Sequence, residues 1–365
     1  MKTYTCGCGN TLFFENSYCV QCQRPVGWCP GCDRVTALLD LGNNNYQCAH
    51  SDCQTRLTKC HNYQVHQVCN RCIRSTEINS SQALCDYCQY TEIIPDLSVP
   101  GNRQRWYELE VAKQRLLYTL EALQLPFGTA TAGFDPPLSF DFKGDIILKD
   151  ALWRTLGKGQ RVFTGHADGK ITINICEADD EVREQLRVDF NEAQRTLVGH
   201  FHHEIGHYYW QLLVTEDWLD QFKHVFGNHE NPPYGDTLDH YYESGPPENW
   251  QQYYVSPYAT MHPWEDFAET FATYLDMASV LHTAAHHQGS KGTLYLQTTP
   301  FDDMIAAYRQ LGILLNELNR TLGLIDFIPE IFTPAVIKKL RFIHDLVRSA
   351  QKTVIRNFSD CWSTA

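Results

Sequence analysis

No run of 18 apolar residues occurs in the sequence, so no segment is long enough to cross a bilayer as a helix. The opening stretch, Met1-Lys2-Thr3-Tyr4-Thr5-Cys6-Gly7-Cys8, also lacks the apolar core of an export signal. These absences give the expectation of a cytoplasmic protein with no membrane partner. Basic residues are in deficit: 30 Lys and Arg stand against 43 Asp and Glu, a formal net charge of −13. A surface for phosphates needs the opposite balance, which argues against nucleic acid as a partner. Residues 1–95 hold seven basic and seven acidic side chains, so the acidic excess lies in residues 96–365, where 23 face 36. Low-complexity tracts are missing too. With 43% hydrophobic residues over 365 positions, there is room for one domain of ordinary size and something smaller.

Beyond residue 88 cysteine almost vanishes, since 13 of the 15 precede residue 89 and most form close pairs. Without an export signal, metal thiolates explain this better than disulfides. Cys6 and Cys8 with Cys19 and Cys22 make one tetrahedral set, and Cys29, Cys32, Cys48 and Cys53 a second. Cys69, Cys72, Cys85 and Cys88 make a third. Zinc suits four soft ligands and stabilises a segment with little core of its own. Apolar residues are sparse here, so unfolding is expected without metal. Cys60, His61 and His50 are left over, and any of them can replace a chosen ligand. No βαβ pattern surrounds the CxxC pairs, which leaves no support for a thioredoxin-type role.

The stretch His203-Glu204-Ile205-Gly206-His207 carries the HExxH spacing. On a helix, positions four apart lie one above the other. Two imidazoles can then share a zinc ion, with Glu204 reaching the attacking water as general base. A metzincin would need a histidine at 213, but that residue is Leu213. From Pro263 a new helix is expected, with proline and acids in its first turn and apolar residues at Phe267, Phe271, Tyr274 and Leu275. Glu265 and Glu269 face one way on it. Either can be the third ligand while the other hydrogen-bonds an imidazole. His224, His229 and His240 are rivals for that place.

These blocks resemble the zinc-binding metallopeptidase family that carries an N-terminal zinc ribbon. The likeness runs through Thr164-Gly165-His166 and Gly169–Ile175, then Arg195–Trp210, Val255–Thr270 and Asn319–Leu324, covering nearly the whole chain. More distantly, Tyr258-x6-Glu265-x3-Glu269 is similar to the glutamate-zincin pattern of lethal-factor-like proteases. That likeness implies Glu265 as third ligand, Glu269 as support for a histidine, and Tyr258 as the donor that steadies an oxyanion. It also implies an edge strand that pairs with substrate, for which residues 171–175 are the candidate.

The fold expected is α+β: a multi-zinc ribbon module over 1–92, a linker over 93–102, a zincin-like catalytic domain over 103–285 and a helical extension over 286–365 packed on it. Helices are expected over Arg103–Leu125, Val188–Val214, Asp302–Leu322 and Pro334–Arg356, and strands over Phe140–Leu148 and Arg161–Thr164. A hairpin should turn at Asp168-Gly169. Residues 215–262 read as a variable connection. The function implied is a zinc-dependent endopeptidase acting on protein or peptide, with one catalytic and about three structural zinc ions. Two rivals stand beside it: an adaptor that binds proteins through its ribbons on a zincin scaffold, and a SprT-like DNA-associated protease.

Overall fold

The computed structural model describes residues 1–78, 80–145, 162–181, 183, 196–287 and 296–362, with side chains through residue 351. The chain forms two compact units. One comprises Met1–Arg115, Ser139–Gly165 and Lys170–Glu184; the other Leu116–Leu138, His166–Gly169 and Gln185–Ala365. Among the described residues no helix is long and apolar enough to cross a membrane.

The first unit begins with a small antiparallel hairpin, β1 (Tyr4–Thr5) and β2 (Thr11–Leu12). An antiparallel five-stranded sheet follows in chain order: β3 (Val26–Cys29), β4 (Arg34–Gly42), β5 (Asn45–Cys48), β6 (Arg56–Lys59) and β7 (Cys72–Arg74). Its buried apolar side chains include Val26, Trp28, Val35, Leu38 and Leu57. Trp28 meets the edges of Tyr4 and Phe14 at 6.0 and 5.8 Å, and the buried Arg71 guanidinium lies 4.7 Å from its ring. Metal ligation would add to the stability of so small a module.

After β8 (Thr91–Ile93), helix α1 (Asn102–Ala122) starts beyond the Pro-Gly break at 100–101. Its Glu110 and Lys113 form an ion pair at 2.7 Å with neither side chain exposed. Thr91 and Trp106 complete the pair by donating to Glu110. A second sheet has the order β10 (Gly165–Ala167), β11 (Lys170–Asn174), β9 (Ser139–Lys143), β8. Asp168 and Gly169 turn the hairpin with φ of 47° and 81°, the left-handed pair that a tight turn demands. The sheet corrects one expectation: β11 pairs in parallel with β9 along its length, so residues 171–174 of the expected edge strand are interior and β10 holds the edge, while Ile175 opens a 3-10 turn. Of the expected Phe140–Leu148 strand, residues 146–148 lie outside the described residues, as does Arg161; 162–164 are irregular.

The second unit is helical. Helix α2 (Leu197–Leu213) opens on Thr196, whose hydroxyl accepts from Gly199 N at 3.0 Å as an N-cap. The expected residues 188–195 of this helix lie outside the described residues. Two further helices, α3 (Glu216–Phe226) and α4 (Tyr234–Ser244), fall in the stretch that reads from sequence as a variable connection. Helix α5 (Pro263–His287) begins with proline and two acids, and His262 Nδ1 accepts from Trp264 N at 3.1 Å. Then come α6 (Phe301–Thr321) and α7 (Pro334–Trp362). Tyr208, Tyr209 and Phe201 of α2 and Phe267, Phe271 and Tyr274 of α5 are almost fully buried; Tyr209 stacks on Phe271 at 5.2 Å. On α7, Lys339 pairs with the buried Asp266 at 2.6 Å, and His344 Nδ1 meets the Tyr274 hydroxyl at 3.1 Å.

Candidate metal centre

On α2, His203 and His207 stand one turn apart with their Nε2 atoms 3.2 Å from each other. The buried Glu265 of α5 brings Oε2 to 3.1 Å from His203 Nε2 and 3.3 Å from His207 Nε2. Ligand atoms around a tetrahedral zinc about 2.0–2.1 Å away would be separated by roughly 3.3 Å. The three atoms fit that triangle, and His203, His207 and Glu265 form a group that could hold a metal ion. None of His224, His229 and His240 belongs to it among the described residues. His229 instead packs on the Trp210 and Phe222 rings, while His224 and His240 are exposed.

Each neighbour has a distinct place. Glu269 Oε1 lies 2.5 Å from His203 Nδ1, on the ring face away from the group. Glu204 is buried and its Oε2 has no hydrogen-bond partner. Burial pushes the Glu204 carboxyl up against the pull of His203 and His207. Burial acts on Glu265 in the same sense, but His207 and His203 outweigh it and hold its carboxyl well below the usual range. The Tyr258 ring is 6.0 Å from that of His203, and burial followed by the Glu265 charge raises its hydroxyl.

Two residues enter to which sequence reasoning gave no role at the site. His166 stacks near His207 at 6.4 Å and accepts from Gly169 N at 3.0 Å; burial, with His207 adding, brings its imidazole down to about 4, so it is neutral at pH 7. Tyr234, at the start of α4, donates its hydroxyl to Glu265 Oε1 at 2.9 Å. Neither contact has a sequence signal, because each depends on how distant segments fold.

In the first unit, three groups of four thiols lie together: Cys6, Cys8, Cys19 and Cys22; Cys29, Cys32, Cys48 and Cys53; Cys60, Cys69, Cys85 and Cys88. The last corrects the expected third set, because Cys60 takes the place given to Cys72. Sulfur separations of 3.7–3.8 Å recur in all three. They match the roughly 3.8 Å edge of a tetrahedron with Zn–S bonds of about 2.3 Å. Backbone N–H groups point at several sulfurs, including Cys85 N to Cys60 Sγ at 3.3 Å and Arg71 N to Cys69 Sγ at 3.2 Å. Cys72 is buried on β7, outside the group, and burial pushes its thiol well up.

A ribbon of clustered thiols in one unit and a two-histidine, one-glutamate group in the other are the makeup of a zinc-binding peptidase. A family model described as "Putative zinc-binding metallo-peptidase" matches residues 102–346, and a zinc-ribbon domain model matches residues 3–99. The chain belongs to that metallopeptidase family. It is 36% identical over 355 residues to uncharacterized proteins of Mycobacterium bovis (strain ATCC BAA-935 / AF2122/97) and of Mycobacterium tuberculosis strains CDC 1551 and H37Rv, covering 95% of this chain and of each relative. No solved structure matches it.

Proposed function

We propose that the protein is a zinc-dependent endopeptidase of the glutamate-zincin type, with His203, His207 and Glu265 as ligands of its catalytic zinc. The observation that carries this reading is the triangle of ligand atoms with 3.1–3.3 Å sides, together with a buried, unpartnered carboxylate oxygen on Glu204. Zinc held there supplies Lewis-acid polarisation of the scissile carbonyl and lowers the pKa of water to near neutrality.

Glu204 accepts the proton from the attacking water and passes it to the leaving amine. Its buried Oε2, without a hydrogen-bond partner, is free for that proton. Glu269 holds the His203 ring by its Nδ1, leaving Nε2 for the ion. Tyr258 turns its hydroxyl to the oxyanion, a donor of the kind worth about 3 kcal/mol. The thiol groups of the ribbon hold about three structural zinc ions. They stabilise a module that can also engage a protein partner.

The test is Glu204→Gln in the full chain, offered a mixture of denatured polypeptides and read by mass spectrometry for new N-termini. Zinc content should stay at the wild-type value while cleavage falls about 10²–10⁴-fold, the usual worth of a general base. Full cleavage with full zinc would refute the assignment.

A further inference from the structure

Helix α4 has no fully buried residue. It presents Tyr234, Thr237, Leu238 and Tyr241, half-buried at helical spacing on one face. Tyr234 follows Pro233 as the first helical residue, and its ring packs on His262 at 5.2 Å and Trp264 at 6.1 Å. From there its hydroxyl donates to Glu265 Oε1. The other oxygen, Oε2, is the one that faces both histidines, and it is buried with no hydrogen-bond partner. The two oxygens of Glu265 are thus divided: one is occupied by a tyrosine, the other offered to the metal.

On the same helix face the Tyr241 ring braces that of Tyr258 at 5.7 Å.

We propose that Tyr234 is a positioning residue of the metal centre, fixing Glu265 as a one-oxygen ligand. This rests on the reading of His203, His207 and Glu265 as the catalytic zinc site. A ligand carboxylate whose outer oxygen is unsupported is free to rotate, and loss of such outer support typically costs about 10–100-fold in metal affinity.

The experiment is chelator competition on full-length, zinc-loaded protein. It follows the zinc equivalent that wild type holds and the His203→Ala/His207→Ala variant lacks. Tyr234→Phe keeps the ring on His262 and Trp264, so melting should be unchanged while that zinc is lost at about 10–100-fold lower chelator. Tyr241→Phe, on the same helix face, should retain zinc as wild type does. If Glu265→Ala loses the zinc but Tyr234→Phe holds it normally, the positioning role is wrong and the ligand set stands. Equal weakening in Tyr241→Phe would also overturn it, by showing that α4 acts through packing alone. Should Glu265→Ala keep the full complement, the ligand reading itself fails and the role of Tyr234 goes with it.

Discussion

Gly206 and Ala268 meet backbone against backbone: a Cβ built on Gly206 would lie 2.8 Å from Ala268 Cα and 3.0 Å from its carbonyl oxygen. Gly206 sits between the two histidines of α2, and Ala268 is three residues past Glu265 on α5. The close crossing is therefore what brings the carboxylate to the imidazoles. Gly206→Ala sets two effects against each other. Helix propensity would gain about 1 kcal/mol, whereas forcing a methyl into a backbone contact typically costs about 1–3 kcal/mol. Rigid backbone gives way less easily than a side chain, so the clash should win. Thermal denaturation should show a lower midpoint, and zinc analysis a weakened site. A stabilised variant with normal zinc would show that the crossing relaxes freely.

Glu269 should behave as support for His203 without being a ligand. It contacts Nδ1 at 2.5 Å, the nitrogen away from the Glu265 group. Glu269→Ala should weaken zinc binding about 10–100-fold, with the metal still bound at saturating zinc, whereas Glu265→Ala should lose the site at any accessible concentration. Competition with a chelator across both variants separates the two. Indistinguishable curves would mean that the roles are shared or exchanged.

How far the sequence reveals this centre depends on the range of each contact. His203 and His207 are fixed by the helical period alone, and Pro263 with its following acids marks the start of α5. Glu204 follows from the same local geometry. Tyr234 could not be found this way, because it reaches Glu265 across 31 residues from a segment whose Asn231-Pro232-Pro233 reads as turn. The same prolines conceal α4, since Pro233 also makes a good residue just before a helix. The hairpin at Asp168-Gly169 was legible, but its position in the sheet was not. Parallel pairing of β11 with β9 joins strands about thirty residues apart, and no local pattern encodes that.

Acid should destabilise the second unit through His344. Its imidazole is buried between α5 and α7, against the Tyr274 hydroxyl and the Phe301 ring. Burial, assisted by Arg348 and Arg341 and opposed by Asp302, lowers it from 6.5 to about 4. The unfolded chain takes up this proton as pH drops below about 6.5, while the folded chain resists until about 4. Folding therefore loses stability across that window, and the loss is complete below it. Melting followed from pH 7 to 4 should show this decline, and His344→Gln should flatten it. An unchanged slope in the variant would place the acid sensitivity elsewhere.

Lys113→Met should be among the more damaging changes in the first unit. The variant leaves the Glu110 carboxylate buried without its cation, at 0% exposure, and breaking such a pair typically costs about 3–5 kcal/mol. The companion Lys113→Met/Glu110→Leu removes both charges and should recover much of that loss, because apolar replacements of buried pairs are often neutral. Denaturant unfolding of both variants gives the comparison. A double variant as unstable as the single one would show that Thr91 and Trp106, which also bond Glu110, depend on the carboxylate itself.

The choice between Cys60 and Cys72 gives a last test, in which chemistry alone predicts no difference. Both are buried thiols, and spacing alone favours Cys72, which closes a CxxC pair with Cys69. The strands rank them: β7 carries Cys72 opposite Lys59, leaving the chain just past β6 to bring Cys60 to Cys69, Cys85 and Cys88. Cys60 Sγ also accepts from Cys85 N. Cys72 sits tight against Gly27, whose Cβ would fall 3.2 Å from its sulfur. Cys60→Ser should therefore lose one zinc equivalent and loosen the ribbon, whereas Cys72→Ser should keep every equivalent and lose only packing. Metal analysis of the two purified variants decides it. Loss of zinc from Cys72→Ser, with none from Cys60→Ser, would restore the pairing that the sequence spacing suggests.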